Sequence, residues 1–516
     1  MTATVAIDTA KLDALFEPYN RADRPGITVG IAHKGVPVYR AGFGLASVEL
    51  AQALSPSIRM RIGSTSKHFT CLCIMLLAEE GKLSPQDSVR KFIPELKPWA
   101  DAVTLAGLMS HTSGTRCSLD ILGLAGGVMG SNRPIPHGAQ LDMLIRAESV
   151  NFPAGTSWVY SNGGYVLLTH VIERVSGMSY DAFLKARIFD PVGMYDTAAR
   201  PNDVDCVRNV ASLHTPTASG GFTRAVFGPH IGGEGSIIST INDMLIWLRH
   251  MASPTIGSTA TWAEMQTPVP LAGGGSSGYG YGLWMGQYRG VDTVYHTGGV
   301  IGGNSQMMKL PEHELDIVVL SNSAGIASAA VANQIIDTCL TGLSDVAGSV
   351  PGPFVTGHFH SPATGRYLRL IDKDGGPAID LAPAQYPLKQ HADGSMSFME
   401  TYVFRPTDQG IDAIESGAVD HLVRVEGTFE PETASLVGSW RSDEAAMTAT
   451  VAAGEPATFS LTSAYGTTTG TLDQRGPGLW LIIDPKEGGG ATLERDGDVL
   501  LFSTPRSRRL RFTRVE

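Results

Sequence analysis

The sequence predicts an α+β fold in which an antiparallel sheet flanked by helices is followed by two small antiparallel all-β domains. β-rich runs lie near both ends of the first part of the chain, and helical patterns fill the stretch between them. Beyond this part, the chain consists of short strands and turns with few helical patterns. We therefore expect three domains, over residues 1–343, 350–430 and 434–516.

The first elements follow from local signals. The N-terminal residues have the spacing of an amphipathic helix that is capped near Asp8 or Thr9 and carries its apolar residues, from Leu12 to Tyr19, on one side. Two β-rich runs surround Lys34-Gly35, which predicts a hairpin. The segment from residue 64 to about residue 80 should form a helix that closes at Gly81. Because the N-terminal residues lack the basic and apolar segments of an export signal, we expect a cytoplasmic protein.

Two similar strings mark the all-β part of the chain. Both follow the pattern G-x-aromatic-x-S, with Gly357, Phe359 and Ser361 in the first and Gly438, Trp440 and Ser442 in the second. A linker of small residues, proline and glycine, LSDVAGSVPGPF, precedes the first string. The repeat favours two related β domains. The alternative is one larger β domain.

Composition and charge argue against several classes of partner. The chain has 516 residues, 43% of them hydrophobic, and a formal net charge of −11. This charge disfavours nucleic acid and anionic membrane surfaces. No apolar run approaches the ~18 residues that a membrane span needs. The basic end, RSRRLRFTRVE, alternates apolar and basic residues, which predicts a strand with one solvated face.

The cysteines and histidines predict neither a metal site nor a cofactor. Five cysteines are too few and too scattered for a disulfide framework, and Cys71 and Cys73 are expected to be buried thiols. His358 and His360 form a lone H-x-H on a predicted strand, for which we expect a structural role. His111 in SHTSG is also expected to be a structural hydrogen-bonding residue.

The string IGSTSKHFT, residues 62–70, carries the first sign of chemistry. Ser64 and Lys67 are three residues apart, so a helix places them on one face. Unpaired N–H groups collect at a helix start and can stabilise an oxyanion beside the serine. A lysine whose burial disfavours its ammonium form can accept the serine's proton. The structural alternative is that Ser64 or Ser66 caps the helix and Lys67 reaches solvent.

Two further strings support the catalytic interpretation. Tyr160-Ser161-Asn162 opens a predicted helix, and His296-Thr297-Gly298 lies on a predicted strand edge. The order S-x-x-K, Y-x-N and H-x-G resembles the penicillin-recognising serine hydrolases, which have the β-lactamase/DD-peptidase fold. Supporting strings also look like those of that family: LMSHTSG, EEGKLSPQDSVRKFIPEL, PVGMYDT and GGEGSIISTINDM. The resemblance covers most of residues 25–340.

The resemblance implies a role for each matching residue. Ser64 is the nucleophile, and Lys67 is its proton-accepting neighbour. Tyr160 relays protons to the leaving group, and Asn162 holds the substrate amide. The backbone N–H groups of Ser64 and Gly299 form the oxyanion hole. Which group deprotonates the serine is left open.

His296 occupies the third motif and is expected to complete the catalytic set. It departs from the lysine of most β-lactamases, which offers a fixed charge to a β-lactam carboxylate. A histidine is neutral over much of the working pH range. Some peptidases of the family carry the histidine, so this position favours a peptide or amide substrate.

The layout of the chain resembles the D-aminopeptidase branch of the family, whose C-terminal domains are eight-stranded antiparallel barrels. It implies a serine aminopeptidase or amidase that releases N-terminal residues, including D-residues, through an acyl-enzyme. The alternatives are an esterase or β-lactamase with the same site, a cell-wall carboxypeptidase or penicillin sensor, and a non-enzymatic scaffold, which the intact motifs disfavour. We expect a small peptide or amide substrate, and the sequence is compatible with a homodimer.

In the D-aminopeptidase, a loop of the last domain enters the catalytic cleft. The candidate here is DPKEGGG, from Asp484 to Gly490, whose three glycines allow close approach to another domain. Asp484 and Glu487 would pair with the free α-ammonium of a substrate. The alternative for this loop is an exposed hairpin turn.

Overall fold

The computed structural model describes residues 3–124, 135–346, 348–381, 384–398, 402–484 and 488–515. In these ranges no helix is both long and apolar enough to cross a membrane. The α-helices are α1 (Thr9–Phe16), α2 (Lys67–Glu79), α3 (Leu105–Met109), α4 (Ser118–Leu124), α5 (Ala139–Arg146), α6 (Asn162–Ser176), α7 (Tyr180–Leu184), α8 (Asp190–Val192), α9 (Ile241–Ala252), α10 (Thr259–Met265) and α11 (Ser328–Cys339).

The strands of the first part are β1 (Thr4–Val5), β2 (Ile27–His33), β3 (Val36–Phe43), β4 (Leu45–Ser47), β5 (Gln52–Ala53), β6 (Met60–Arg61), β7 (Ala198–Ala199), β8 (Leu213–Pro216), β9 (Phe222–Ala225), β10 (Ile237–Ser239), β11 (Trp284–Tyr288), β12 (Val291–Val300), β13 (Gly303–Leu310), β14 (Leu315–Ser321) and β15 (Leu340–Thr341). Six of them form one antiparallel sheet in the order β11-β12-β13-β14-β2-β3. Its strands come from both ends of this part of the chain, as predicted.

Helices cover both faces of this sheet, which explains why every residue of β14 is buried. Successive side chains of a strand point to opposite faces. Ile317 and Val319 therefore pack in the core that contains residues of α1 and α11, whereas Val318 and Leu320 pack in the core that contains residues of α2, α6 and α9. The predicted α+β arrangement of an antiparallel sheet flanked by helices is confirmed.

Local predictions in this part are also confirmed. Of the two predicted caps, Asp8 is the one that caps α1, by accepting hydrogen bonds from the backbone N–H groups of Ala10 and Lys11. Lys34 and Gly35 connect β2 to β3 with φ values of 54° and 71°, the positive angles that a tight hairpin turn requires. Gly81, with φ of 69°, follows the end of α2. Cys71 and Cys73 are buried.

The tail contains two all-β units. The strands of the first are β16 (Gly357–His360), β17 (Tyr367–Lys373), β18 (Gly376–Leu381), β19 (Ala384–Pro387), β20 (Lys389–Gln390), β21 (Met396–Phe398), β22 (Tyr402–Pro406), β23 (Gly410–Glu415) and β24 (Ala418–Arg424). The strands of the second are β25 (Gly438–Ser442), β26 (Met447–Ala452), β27 (Thr458–Ser463), β28 (Gly466–Gly476), β29 (Leu479–Asp484), β30 (Gly488–Asp496), β31 (Val499–Ser503) and β32 (Leu510–Arg514).

Both units close on themselves. The second is an eight-stranded antiparallel barrel in which β25 pairs with β32. In the first, β19 pairs with β18 and β20 pairs with β21, and only Leu388 separates β19 from β20. β19 and β20 are the two edge strands of the nine-stranded sheet, so this run of chain connects its edges and closes the barrel. In the middle of the sheet, β16 pairs with β24. We call the two units the middle barrel and the last barrel. The domain boundaries named above stay a prediction.

The repeated G-x-aromatic-x-S string has the same structure in both barrels. Gly357 and Gly438 open the first strands with φ of 139° and 133°, values that favour glycine. In the middle barrel, the Arg424 guanidinium of the closing strand lies 4.9 Å from the Phe359 ring centroid. In the last barrel, Arg514 lies 5.3 Å from the Trp440 ring. A glycine, an aromatic ring and an arginine thus fasten the first strand of each barrel to its last, which supports two related units over one larger domain.

The last barrel packs against the helical part of the first 343 residues. Ile121 and Leu122 of α4 and Met143 of α5 share one apolar core with barrel residues such as Trp440. Beside this core, Arg116 and Glu444 form a buried ion pair. An ion pair without solvent depends on its hydrogen bonds, and Glu444 also accepts from the backbone N–H of Glu148 and of Arg511. This junction sets the position of the last barrel relative to the helix that begins at Asn162.

Candidate active site

Ser64 lies in the 3₁₀ turn Gly63–Ser66 that leads into α2, so the α-helix begins at Lys67 and not at residue 64 as predicted. Between Met60 and Leu77, a run that the structure describes completely, Ser64 alone is not buried. Ser66 is fully buried, and its hydroxyl accepts a hydrogen bond of 3.2 Å from the backbone N–H of Ile237. The geometry therefore separates an accessible hydroxyl at Ser64 from a structural one at Ser66.

Lys67 is fully buried one turn beyond Ser64, so it does not reach solvent. Its Nζ lies 3.3 Å from Ser64 Oγ, 2.8 Å from Asn162 Oδ1 and 2.7 Å from the carbonyl oxygen of Glu234. A neutral amine has two N–H groups and one lone pair. In this neutral form, Asn162 and Glu234 can accept both hydrogens, which leaves the lone pair for the hydroxyl of Ser64; in the ammonium form, Ser64 Oγ accepts the third hydrogen.

The Tyr160–Asn162 segment is held by the start of α6. Ser161 caps this helix, and its backbone N–H donates to His111 Nδ1 at 3.1 Å. The ring of His111 also lies 4.2 Å from that of Tyr160, centroid to centroid. Lys67 Nζ is 4.9 Å from the Tyr160 ring centroid. His111 is thus a structural hydrogen-bonding residue, as expected, and it positions the phenol beside the lysine.

His296 is buried in β12, and both of its ring nitrogens are engaged. Nδ1 lies 2.7 Å from the carbonyl oxygen of Thr297, so Nδ1 carries the proton. Nε2 lies 2.9 Å from the hydroxyl of Tyr279, which donates to it. Burial, and next the positive charge of Lys67, lower the pKa of His296 to about 3. His296 is therefore neutral at physiological pH.

Gly299 lies on the open edge that the sequence predicts. β11 pairs with β12 only as far as Tyr295, so the strand has no β11 partner from His296 onward. Gly63, with φ of 52°, approaches this edge so closely that a Cβ on it would lie 3.0 Å from the backbone nitrogen of Gly299. This approach of Gly63 to Gly299 brings the backbone of Ser64, the residue after Gly63, close to Gly299. These are the two residues whose N–H groups are predicted to form the oxyanion hole.

A cavity of about 1450 Å³ joins these residues to the last barrel. Ser64, Tyr160, Asn162 and His296 line it from the first part of the chain. The last barrel contributes Gly490 and the segment from Thr504 to Arg506, among others. The cleft is therefore built by two distant parts of the chain.

Arg506 is the main residue that the sequence interpretation missed. Its side chain is exposed in the cleft, and its guanidinium carbon lies 5.0 Å from the Tyr160 ring centroid. The backbone is fixed, because the carbonyl oxygen of Arg506 accepts from the N–H of Cys117 and from Asn151 Nδ2. The segment was interpreted as the start of a solvated strand; β32 begins only at Leu510. No local spacing signals such a contact.

Glu234 is the second residue for which the sequence supplied no role. Its carbonyl holds Lys67, and its buried carboxylate accepts from Gln140 Nε2 and from the backbone N–H of Gly232, both at 2.9 Å. The predicted cleft loop is only partly described. Gly490 lines the cavity, whereas Glu487 lies outside the described residues, and the pairing of Asp484 and Glu487 with an ammonium stays a prediction.

Comparison with known proteins agrees with the geometry. The family model described as Beta-lactamase matches residues 12–338. The chain belongs to the beta-lactamase family. Penicillin-binding protein 4* of Bacillus subtilis (strain 168) is 31% identical to this family member over 326 residues, which is 60% of this chain and 71% of that protein. A D-aminopeptidase of Brucella canis is 27% identical over 356 residues, which is 68% of this chain and 67% of that protein.

The fold similarity extends beyond the matched family domain. A solved structure described as the octameric penicillin-binding protein homologue from Pyrococcus abyssi has a TM-score of 0.57 and 21% identity to this beta-lactamase family chain. It covers 98% of this chain and 100% of its own. The family inferred from the three motifs is confirmed. The roles assigned to Ser64, Lys67, Tyr160, Asn162, His296 and Gly299 stay predictions.

Proposed function

We propose that the protein is a serine aminopeptidase or amidase that releases N-terminal residues, D-residues included, through an acyl-enzyme. The contact between Lys67 Nζ and the accessible hydroxyl of Ser64, at 3.3 Å inside a deep cleft, carries this proposal. The similarity to a D-aminopeptidase supports an amide bond as the target. The substrate is then a small peptide or amide.

Acylation begins when Ser64 Oγ attacks the substrate carbonyl carbon. The proton of the hydroxyl passes to the lone pair of Lys67, while Asn162 and Glu234 hold the two hydrogens of the amine. The carbonyl oxygen becomes an oxyanion, which the backbone N–H groups of Ser64 and Gly299 stabilise. The C–N bond then breaks, and Tyr160 passes the proton that Lys67 took up to the leaving amine, so Lys67 is neutral again. A water molecule releases the acyl group, and Ser64 regains its proton.

His296 supports this chemistry by position. Because Thr297 and Tyr279 occupy its two nitrogens, His296 has no free ring nitrogen for the substrate. Because it is neutral, the third motif supplies no positive charge for a β-lactam carboxylate. Within the predicted catalytic set, His296 therefore has a positioning role: it holds the end of β12 and the hydroxyl of Tyr279 in place. This favours amides over β-lactams.

The alternative is an esterase or a β-lactamase-like hydrolase with the same Ser64, Lys67 and Tyr160. The similarity to a penicillin-binding protein is the observation that favours it. An ester carries a better leaving group than an amide, so an enzyme of this kind needs less proton transfer to the departing atom. The two functions therefore differ in how strongly turnover depends on Tyr160.

One panel of substrates tests the proposal. Purified protein is given D- and L-aminoacyl p-nitroanilides, their N-acetylated forms, a p-nitrophenyl ester and a chromogenic β-lactam. We expect the largest kcat/KM for a D-aminoacyl anilide with a free amine, and no turnover by Ser64→Ala. Turnover of the ester alone, or of the β-lactam above all anilides, would overturn the aminopeptidase in favour of the alternative.

Two expectations from the sequence are part of the proposal. We propose the cytoplasm as the compartment, which fractionation of the native host with antibodies would test. We also propose a homodimer, although the Pyrococcus abyssi neighbour is described as octameric. Light scattering after size exclusion measures the mass, and a monomer or an octamer would contradict the dimer.

A further inference from the structure

Three histidines and one glutamate converge on the surface behind the active site. His170 and Glu173 lie one turn apart on α6, His137 precedes α5, and His230 lies in the segment that leads to Glu234. His137, His230 and the α6 pair therefore come from three separate segments of the chain. For this reason no spacing in the sequence predicts the group.

The distances within this histidine cluster suit a metal ion. His137 Nδ1 lies 3.3 Å from His230 Nδ1, and His170 Nδ1 lies 3.3 Å from Glu173 Oε2. One ligand atom from each of His137, His170 and Glu173 lies within 4.8 Å of the others. Ligands at 2.0–2.1 Å from a tetrahedral zinc ion are separated by about 3.3 Å. Small rotations of the side chains would close the remaining gap.

We propose that the histidine cluster binds one divalent transition-metal ion, with imidazole and carboxylate ligands of the kind that Zn²⁺ takes. Glu173 is already oriented, because its Oε1 accepts a 3.2 Å hydrogen bond from the backbone N–H of Tyr180. His137 is exposed, and the other three residues are partly exposed, which leaves an entry path for the ion.

The ion would fix the wall behind Lys67 and take no part in the reaction. The carbonyl oxygen of His230 accepts from Gln140 Nε2 at 3.1 Å, and the same amide group donates to the carboxylate of Glu234. The carbonyl oxygen of Glu234 in turn holds Lys67. A ligand on His230 therefore stiffens a segment that positions the lysine, while α6 carries both Asn162 and His170.

Zinc binding to untagged, chelator-treated protein tests this proposal. Equilibrium dialysis with metal analysis should find one Zn²⁺ per chain, with a higher unfolding midpoint and no effect of Mg²⁺. His170→Gln and His230→Gln should each weaken binding by at least about tenfold. His421→Gln, which changes an exposed histidine paired with Asp412, is the control.

Two results would overturn the metal site. One is the absence of stoichiometric Zn²⁺ binding by the wild-type protein, which would leave two separate hydrogen-bonded pairs. The other is equal binding by the wild-type protein and both cluster variants. Since binding and the unfolding midpoint are the readouts, the outcome is independent of whether the proposed aminopeptidase activity is found.

A separate observation concerns Arg506. Among the residues that the structure describes, no hydrogen bond or ion pair to its guanidinium is found, although its backbone is tied to Cys117 and Asn151. Its neighbours are tied as well, since Ser507 Oγ donates to the carbonyl of Cys117 and Thr504 bonds to the Asp120 carboxylate. This loop thus presents to the cleft a guanidinium that has no hydrogen-bonded or ion-paired partner in the described part of the chain.

We infer that Arg506 binds a carboxylate of the substrate on the leaving-group side. The inference rests on the proposed function, in which Tyr160 protonates the leaving amine. Arg506 lies against the ring of Tyr160, so it is near the residue that departs. A guanidinium binds a carboxylate with two parallel hydrogen bonds.

Matched dipeptides test the role of Arg506. The readout is the ratio of kcat/KM for a D-aminoacyl dipeptide with a free C-terminal carboxylate to kcat/KM for its C-terminal amide. Arg506→Gln should lower this ratio at least about tenfold, and Arg506→Lys should lower it less. An unchanged ratio would overturn the inference. Failure of the wild-type protein to cleave either dipeptide would instead count against the proposed function.

Discussion

The two walls of the cleft are built in different ways. The wall formed by the first part of the chain places Ser64, Lys67 and Asn162 in direct hydrogen-bond contact. Within the described residues, the last barrel approaches this group through Arg506, which lies against the ring of Tyr160. In the proposed function, the first wall holds the atoms that react, whereas the second selects which substrates enter. Changes to the first should affect the rate for every substrate, and changes to the second should affect choice of substrate and stability.

The largest effect is expected at the nucleophile. Ser64→Ala should abolish both turnover and covalent labelling by a fluorophosphonate, because it removes the attacking oxygen. Ser66→Ala is the matched control in the same turn. It should lower stability through the lost contact with Ile237 but keep the labelling. Labelling that survives Ser64→Ala and disappears in Ser66→Ala would show that the wrong serine has been chosen.

Substitution of the lysine should be almost as severe. Lys67→Arg keeps a positive charge but cannot lose its proton near neutral pH, so it cannot accept one from Ser64. We expect kcat for the D-aminoacyl anilide to fall about 10³-fold or more, nearly as far as in Lys67→Ala. Pre-steady-state acylation is the measurement. Near-normal acylation in the arginine variant would reduce Lys67 to a source of charge.

A smaller effect on activity and a larger one on stability are expected at the junction. Glu444→Gln leaves Arg116 as a buried charge without its partner, which costs about 3 kcal/mol. Denaturant unfolding measures this change in the free energy of unfolding. Asp443→Asn, which breaks the neighbouring exposed pair with Arg441, should cost less than about 1 kcal/mol. Equal costs would mean that the junction does not hold the barrel in place.

The smallest expected difference between the two walls is in their stability at low pH. Burial lowers the pKa of His296 to about 3 and that of His250 to about 4, and it holds the pKa of His68 and His111 well below the usual value. The unfolded chain takes up protons below about pH 6.5, and these native histidines do not. Their contribution to stability is full above pH 6.5 and is lost as the pH falls towards 3.

The last barrel, residues 434–516, contains no histidine. We therefore expect the first part of the chain to open before the last barrel on acidification. A short pulse of pepsin at pH 4.5, followed by mass spectrometry, reports where the chain opens. First cuts within the last barrel would contradict this order.

Sequence reasoning succeeded where short spacing fixes geometry. Ser64 and Lys67 meet because they are one helical turn apart, and Gly81 ends the same helix because it adopts a positive φ. The repeated glycine and aromatic residues predicted two related barrels, and the structure adds the arginines that complete the pattern. In each case the partners are close in sequence or repeat a pattern.

Contacts between distant parts of the chain were not predictable in this way. Arg506 reaches Tyr160 because Arg116 and Glu444 pair at a buried junction, and a pair separated by 328 residues has no local signature. His137, His170 and His230 meet for a similar reason. Such groups depend on how whole elements pack, which hydrophobic periodicity alone does not specify.

The fastening of first to last strand in each barrel has a consequence for how the chain can be rearranged. In the middle barrel, the strand Gly357–His360 pairs with the strand Ala418–Arg424, so the barrel begins and ends about 4.8 Å apart. A unit whose ends are neighbours can be removed or replaced without stretching the flanking chain. Joining residues 356 and 425 through a short turn should thus leave the flanking segments nearly in place, so the middle barrel could be exchanged as a unit between related proteins.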